Sequence, residues 1–591
     1  MNHLRNLLGA VKLVWRSAPG LTSASIVLVV IRSSLPLAMV YLMKLLVDGV
    51  TGASTAPERG EALHYLFWLI GITAGLALFR AMCDSCASVI RSAQSEKVTD
   101  SLHSIMHSKT SEVDLDCYEN PDDCDKLHRA QEEMEYRPGR ILDGLIDFAR
   151  NSISLIFMAG LVFSFDWLMA VILLGSCIPQ AVARSWYGAV LHRWYMDRTP
   201  EFRRVWVFHW MLTVAVYAKE IRNYLLGTIF KNRYRTLRDR LRVERLRIVT
   251  RRALADFLGS TISTGVFFAA YGVIVYRTVV GSLSLGDMVM YFQAFQLAQE
   301  YFQGMMRNIA ELFENNLFLS SFFAFLAREN VVVNSPHPRP LPSMIERGIV
   351  FDRVSFAYPS GNHNVLNQVT LKVGPGEIVA IVGENGSGKT TLAKLLCRFY
   401  DPSEGSISLD NTDIREFDLT EWWQNVGVMF QDYAKYAMTA NENIWFGAAY
   451  LPMSRARVVE AARQSGADEA IERLEHGYET LLSKTFEDGD ELSMGEWQKV
   501  ALARCLYKKA RIFLLDEPTN SMDTRSEARF FKNLRRLTAG RATILMSHRL
   551  PTVRVADYIY VLDDGRIVES GTHGELIRAG GKYAYLFESE M

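Results

Sequence analysis

Cysteine is scarce and shows no paired pattern: seven Cys in 591 residues, with a single C-x-x-C formed by Cys83 and Cys86. That pair lies inside an apolar run. Its i,i+3 spacing puts both thiols on one helix face, and no second ligand pair follows. The pattern argues against a metal or redox module and for two small apolar residues in a membrane helix. An excess of one charge is also lacking, since Lys+Arg and Asp+Glu both number 65. The balance supports neither nucleic-acid binding nor an acidic tail. A secretory signal is missing as well. The opening MNHLRNLLGAVKLVWRSAPG carries Arg5, Lys12 and Arg16 and reads as a basic amphipathic helix at a membrane interface over 1–20.

Long apolar runs are what the first half has. Stretches able to cross about 30 Å of hydrocarbon fall near 21–47, 63–90, 143–164, 167–184, 253–280 and 286–310, the last being the least apolar. Six spans are expected, within a helical membrane domain over 21–328. The connections at 48–62, 164–167 and 277–285 are short and nearly free of Lys and Arg. Those at 91–142 and 185–252 are long, and the second holds Arg233, Arg235, Arg238, Arg240, Arg242, Arg245 and Arg247. The positive-inside rule puts both long connections and both termini in the cytosol of a cell-membrane protein. The Arg run explains topology and has few base-stacking aromatics, so nucleic acid is not an expected partner. Helical periodicity continues through 91–113 and 215–250, so the spans extend into the cytosol. Each extension is broken by a segment suited to a short crosswise helix: 114–127, with a turn at Asn120-Pro121, and 215–227. These segments are expected to pass force between the two halves.

Polar residues inside the spans stand out. Gln293, Gln296, Glu300 and Gln303 share one helix face. In lipid such a face must look inward, either as a wall of a transport path or as a polar seam against another helix. Arg32 in the first span is either cavity-facing or paired, and Pro36 is placed to kink that helix.

The second half changes character. Four prolines, Pro336, Pro338, Pro340 and Pro342, make 329–345 an extended linker. From 346 to 591 short apolar strands alternate with helices, the signature of an α/β domain. The buried strand IVAIV at 378–382 runs into Gly383-Glu384-Asn385-Gly386-Ser387-Gly388-Lys389-Thr390 and then a helix. That is a strand–GxxxxGK[ST]–helix phosphate loop. Its glycines let backbone N–H groups converge on phosphate oxygens at a positive helix end. Lys389 would reach the β- and γ-phosphates of ATP and Thr390 the Mg²⁺. A second strand ends at Asp516-Glu517. Asp516 is placed to hold Mg²⁺, and Glu517 to act as general base toward the attacking water.

The segment ELSMGEWQKVALARCLY at 491–507 resembles the signature sequence of the ABC transporter family, commonly LSGGQ. The resemblance implies further roles in chain order. Tyr358 would stack on adenine. Gln431 would sense Mg²⁺ and the γ-phosphate, Ser521-Met522-Asp523 would cross a dimer interface, and His548 would contact the γ-phosphate. Thr391 would complete the phosphate-binding helix start. The resemblance also implies an assembly in which Ser493, Gly495 and Glu496 close over the nucleotide held by a partner's phosphate loop. A second copy of the chain, or a related half-transporter, is then required. Two positions depart from the family pattern: Met494 stands for its first glycine and Glu496 for its glutamine. Met494 either slows closure or points away, at both sites of a homodimer or at one site of a heterodimer.

Spans before the ATPase in one chain resemble the exporter class, with alternating access across the lipid bilayer. DCYENPDDCDKLHRAQEE, AKEIRNY and FQDYAKYAMTANENIWFG are similar to bacterial exporters of modified peptides such as lanthipeptides. The region before the first span is too short for a leader-cutting protease domain, so another protein is expected to remove any leader. A peptide or amphipathic small molecule is the expected substrate. A lipid or lipid-linked sugar flippase and a multidrug pump would share the same ATPase motifs.

Overall fold

The computed structural model describes residues 2–55, 59–120, 123–124, 127, 131, 134, 137–359, 361 and 363–587. Pro121, and with it half of the expected Asn120-Pro121 turn, lies outside the described residues. The chain divides into two compact units, Met1–Glu112 with Asp125–Arg328, and Val113–Cys124 with Glu329–Met591.

The first unit is helical: α1 Asn2–Ser17, α2 Pro19–Thr55, α3 Arg59–Glu112, then, beyond the short α4 of the other unit (Asp116–Glu119), α5 Arg137–Phe165, α6 Trp167–Ser176, α7 Ile178–Asp197, α8 Thr199–Thr213, α9 Ala215–Asn223, α10 Gly227–Val279 and α11 Leu285–Leu326. At 1.5 Å per residue, the 53 residues of α10 run for about 80 Å, well over twice the hydrocarbon thickness. The periodicity of 91–113 and 215–250 is thus realised as α3 and α10 continuing past their apolar cores, and α9 is the short helix expected near 215–227. Among the described residues, five helices are long and apolar enough to cross a membrane: Pro19–Ala53, Leu63–Glu112, Arg137–Phe165, Trp167–Asp197 and Gly227–Val279. The sixth expected span is helical within α11, but its glutamines keep it out of that group.

Charges in this unit are paired across helices. Arg32 meets Asp84 of α3 at 2.6 Å, which selects the paired reading of that arginine, four residues before Pro36 in α2. Lys44 meets Asp287 at 2.6 Å, Arg184 meets Asp256 at 3.1 Å and Arg277 meets Asp166 at 3.1 Å. Asp166 also caps α6 by accepting from Leu168 and Met169 backbone N–H groups. Partnered charges are what a low-dielectric surrounding tolerates. On α11, Gln296 and Glu300 are exposed while Gln293 and Gln303 are half-buried.

The second unit holds two sheets. Strands β1 Ile349–Phe356, β2 Leu366–Val373, β4 Glu404–Leu409 and β5 Thr412–Asp413 form an antiparallel sheet in the order β2-β1-β4-β5. The other sheet runs β10-β9-β3-β8-β7-β6, with β3 Ile378–Val382, β6 Val426–Met429, β7 Ile512–Asp516, β8 Ala542–Met546, β9 Tyr558–Asp563 and β10 Arg566–Gly571. Its five strands from β6 to β9 are parallel and only β10 is antiparallel. Every residue of β3, β7 and β8 is buried, as expected of parallel strands covered on both faces. The proline-rich 329–345 forms no helix. It is strapped to the unit by Val331 and Val332 N–H to Asp114 and by Arg398 to the Val333 carbonyl at 2.8 Å.

Candidate active site

In a parallel sheet, ligands bind beyond the carboxyl ends of the strands. Here the order β3-β8-β7-β6 sets four segments side by side at that edge: the loop 383–388 after β3, Ser547–His548 after β8, Asp516–Glu517 at the end of β7, and Gln431 just past β6.

The phosphate loop turns at its exposed tip, Glu384, Asn385 and Gly386, and enters α12, Lys389–Leu396, through Gly388. Gly388 has φ +108°, a backbone only glycine takes without strain, and a Cβ there would lie 2.7 Å from Leu366 Cδ2. The Lys389 ammonium donates to the carbonyls of Gly383 at 2.7 Å and Glu384 at 2.9 Å. Lys389 is only 8% exposed. Burial lowers its pKa, against the raising influence of Glu517 and Asp516.

Asp516 is 2% exposed and one of its oxygens, Oδ2, has no protein partner among the described residues, as is true of the buried Ser387 hydroxyl. Burial, followed by the adjacent Glu517 charge, pushes its carboxyl up to about 6, while a hydrogen bond from Thr390 works the other way. An orphaned buried carboxylate oxygen beside a threonine hydroxyl suits a hard, oxygen-seeking cation. Thr390, Asp516 and Gln431 line one cavity of about 640 Å³, together with Glu119 and Lys394. No cluster of three or more His, Cys, Asp or Glu able to hold a metal occurs among the described residues.

Glu517 is held differently. Its backbone sits at φ +49°, a strained conformation of the kind found at functional sites. Its carboxylate accepts from Gln431 Nε2 at 2.8 Å and Asn520 Nδ2 at 2.9 Å, and pairs with His548 Nδ1 at 2.8 Å. Three groups from three strand ends thus fix one carboxylate in orientation. Tyr358 lies half-buried nearby in the unit, its hydroxyl 3.1 Å from the Thr391 hydroxyl on α12.

The signature segment opens α13, Met494–Tyr507, with Ser493 as N-cap. The Ser493 hydroxyl donates to Glu496 Oε2 at 2.8 Å, while Glu496 Oε1 takes Arg473 at 2.5 Å. Among the described residues no hydrogen bond joins Ser493, Gly495 or Glu496 to the phosphate loop of the same chain. Gly495 is needed for a close approach, since a Cβ there would lie 2.5 Å from the Ser521 carbonyl oxygen. Met494 is 64% exposed, and its carbonyl accepts from Tyr433 at 3.0 Å.

Gln498 was not singled out by sequence. Buried on α13, it donates to the Glu517 carbonyl at 3.0 Å and accepts from Ser521 N–H at 2.8 Å. It ties the signature helix to the loop carrying both Glu517 and Ser521. The available signal was a glutamine between Trp497 and Val500 on an otherwise apolar face, because buried polar groups need partners.

Comparison with known proteins says what the chain as a whole is similar to. The family described as "ABC transporter" matches residues 366–520. The "Subtilin transport ATP-binding protein SpaT" of Bacillus subtilis is 30% identical over 484 residues, covering 82% of this chain and 78% of that one. The "Nisin transport ATP-binding protein NisT" of Lactococcus lactis subsp. lactis is 27% identical over 594 residues, covering 100% and 96%. A solved bacterial Atm1-family ABC exporter with ATP bound shares the fold, with a TM-score of 0.80 at 24% identity over 97% of this chain and 98% of that one.

Proposed function

The chain belongs to the ABC transporter family, as a membrane-embedded exporter driven by its own ATPase, and on that premise we propose that two copies close over two ATP molecules to export a peptide. Each nucleotide lies between the phosphate loop of one copy and the signature of the other. On the phosphate-loop side, Tyr358 stacks on adenine. The N–H groups from Gly383 through Gly388 and the start of α12 at Lys389, Thr390 and Thr391 cradle the phosphates. Thr390, Asp516 and Gln431 would hold Mg²⁺, which when bound would neutralise charge developing on the phosphate oxygens. On the other side, Ser493, Gly495 and Glu496 approach the γ-phosphate.

Glu517 takes a proton from water as the water oxygen bonds to the γ-phosphorus. The bond from that phosphorus to the β–γ bridging oxygen breaks, leaving ADP and inorganic phosphate. His548 orients the Glu517 carboxylate and faces the γ-phosphate. The observation that carries this reading is the pair of unlike carboxylates at one strand end. Asp516 has an oxygen left over, and Glu517 is gripped by Gln431, Asn520 and His548.

The basic residues between the spans support cytosolic termini and a cytosolic ATPase domain over 346–591, joined by the linker 329–345 to the membrane domain 21–328. A peptide substrate is supported by the long matches to proteins named for subtilin and nisin transport. It is supported also by the polar face of Gln293, Gln296, Glu300 and Gln303, read as a wall of the path. The test is ATP turnover by the purified chain in lipid, with peptides, drugs and lipids added in turn. Cooperative Mg²⁺-dependent turnover stimulated by peptides is expected; no turnover by the chain alone would defeat the homodimer, and stimulation by lipids only would defeat the peptide.

A further inference from the structure

Glu496 folds back onto the start of its own helix. As the third residue of α13, it accepts through Oε2 from the Ser493 N–H at 3.0 Å and from the Ser493 hydroxyl at 2.8 Å. A glutamine closes the same capping box, so what glutamate brings to this position is its charge. Burial works to raise the carboxyl, yet the bonds from Ser493 and the charge of Arg473 hold it below the ordinary glutamate value. It is therefore ionised at neutral pH.

The second oxygen, Oε1, takes the Arg473 guanidinium at 2.5 Å. Arg473 follows the short helix Asp468–Ile471, and its Nε donates to the Glu469 carbonyl at 3.0 Å. The guanidinium is thus braced on one side and bonded to Glu496 on the other. Neighbouring carboxylates have partners of their own. Glu491 accepts from Trp497 Nε1 at 3.0 Å, Glu469 pairs with Arg529 at 2.8 Å, and Asp523 faces Lys499 at 4.0 Å. Among the described residues, the cation paired with Glu496 is Arg473. The Arg473 side chain is 70% exposed and that of Glu496 25%. An ion pair this open adds little to folding stability.

Its consequence is electrostatic. A helix N-terminus carries about half a positive charge, and that charge is what favours an anion there. A full negative charge in the first turn overrides it. A full positive charge bonded to that carboxylate restores it. We infer that Arg473 is a positioning residue for the ATP reaction, on the reading that the signature closes over a partner's nucleotide: it holds the Glu496 carboxylate beside Ser493 and cancels its charge, so that a signature with glutamate in place of glutamine can face a triphosphate. Glu496 and Arg473 then act as one unit, and removing both charges together leaves the helix end with the net charge it has now.

The experiment is a double-substitution cycle on the full-length chain in lipid nanodiscs, with two readouts. KM for MgATP in steady-state turnover includes the approach of the signature. Calorimetric ATP affinity without Mg²⁺ reads the phosphate loop alone. Arg473→Gln is expected to raise KM roughly tenfold, the low end of couplings between close charges at an interface, and to leave the calorimetric affinity unchanged. Arg473→Lys returns the charge and is expected to recover most of that loss. In a Glu496→Gln background, which has no charge to cancel, Arg473→Gln is expected to shift KM by less than about twofold. Equal loss on both readouts, an Arg473→Gln effect of the same size in the Glu496→Gln background, or an unchanged or lower KM would each overturn the inference. Failure of the underlying reading has a separate mark: a KM indifferent to Ser493→Ala. If Ser493→Ala raises KM and Arg473→Gln does not, the signature reading stands and the role of Arg473 falls.

Discussion

The two faces that would enclose a nucleotide are built on opposite plans. The phosphate-loop face buries its charges: Lys389, Asp516 and Glu517 are 8%, 2% and 7% exposed, and Asp516 retains an oxygen with no protein partner. The signature face is open and self-satisfied. Ser493, Glu496 and Arg473 saturate one another, and Met494 stands 64% exposed. Leaving a buried polar atom unsatisfied costs about 1–3 kcal/mol. A fold bears that cost where a ligand repays it, as bound ligand adds to the stability of the state that binds it. An exposed surface carries no such debt. The phosphate-loop face is therefore prepared within one chain, whereas the signature face, on the proposed reading, needs a second surface to gain its role.

Four substitutions or conditions break or sharpen this contrast, in order of expected effect. Glu517→Gln keeps the shape of the prepared face but removes its proposed base. Single-turnover hydrolysis in the reconstituted chain should fall about a thousandfold, the middle of the usual range for general-base catalysis, while ATP binding persists. Retained turnover would remove Glu517 from that role.

Lys389→Ala deletes the buried charge that, on the proposed reading, meets the phosphates. Loss of one or two charge-assisted hydrogen bonds should weaken ATP binding by roughly tenfold to a hundredfold, read by calorimetry without Mg²⁺. Unchanged affinity would mean the ammonium belongs to the loop alone.

The Asp516 carboxyl, pushed up to about 6, supplies a pH test. The folded state holds this proton between the ordinary aspartate value, about 4, and about 6. Its stabilising contribution is therefore full below the lower value and is lost as pH rises through the upper one. Asp516→Asn should raise the unfolding temperature of the nucleotide-free chain at pH 8 relative to pH 4.5. On the proposed reading the cation and this proton compete for one carboxylate, so Mg²⁺ enhancement of ATP binding should weaken as pH falls. An enhancement flat from pH 5 to 8 would exclude Asp516 as the ligand.

Met494→Gly probes the open face and should matter least. The exposed side chain gives up no packing, and a glycine near the helix start costs about 1 kcal/mol or less of helix propensity. Steady-state turnover should stay within about twofold of the parent or rise, whereas a collapse would show that Met494 is built into the closed site.

Much of this was legible in the linear chain, for reasons that differ by region. Apolar runs must be about 20 residues long to cross a bilayer, so α2, α3, α5 and α10 announce themselves. The sixth span is harder to read because Gln293, Gln296, Glu300 and Gln303 dilute its hydropathy. In the ATPase unit, the phosphate loop is a local motif, six residues between the end of a buried strand and a helix, and local motifs survive in sequence. Arg32 was ambiguous because its partner, Asp84, comes from another helix. Gln498 and Arg473 were passed over for the same reason: each matters through residues elsewhere in the chain, namely Glu517 and Ser521 for one and Glu496 for the other.

By itself the sequence determined the class of molecule, a helical membrane domain followed by a phosphate-loop ATPase, because hydrophobic length and glycine-rich turn chemistry are properties of contiguous residues. Tertiary structure alone decided how that chemistry is assembled. The strand order β3-β8-β7-β6 sets Lys389, His548, Glu517 and Gln431 at one edge although more than a hundred residues separate the first from the third. It left Asp516 an oxygen to spare, and it set Arg473 against Glu496. Sheet order depends on which buried faces pack together, and packing is a property of the whole chain rather than of any window along it.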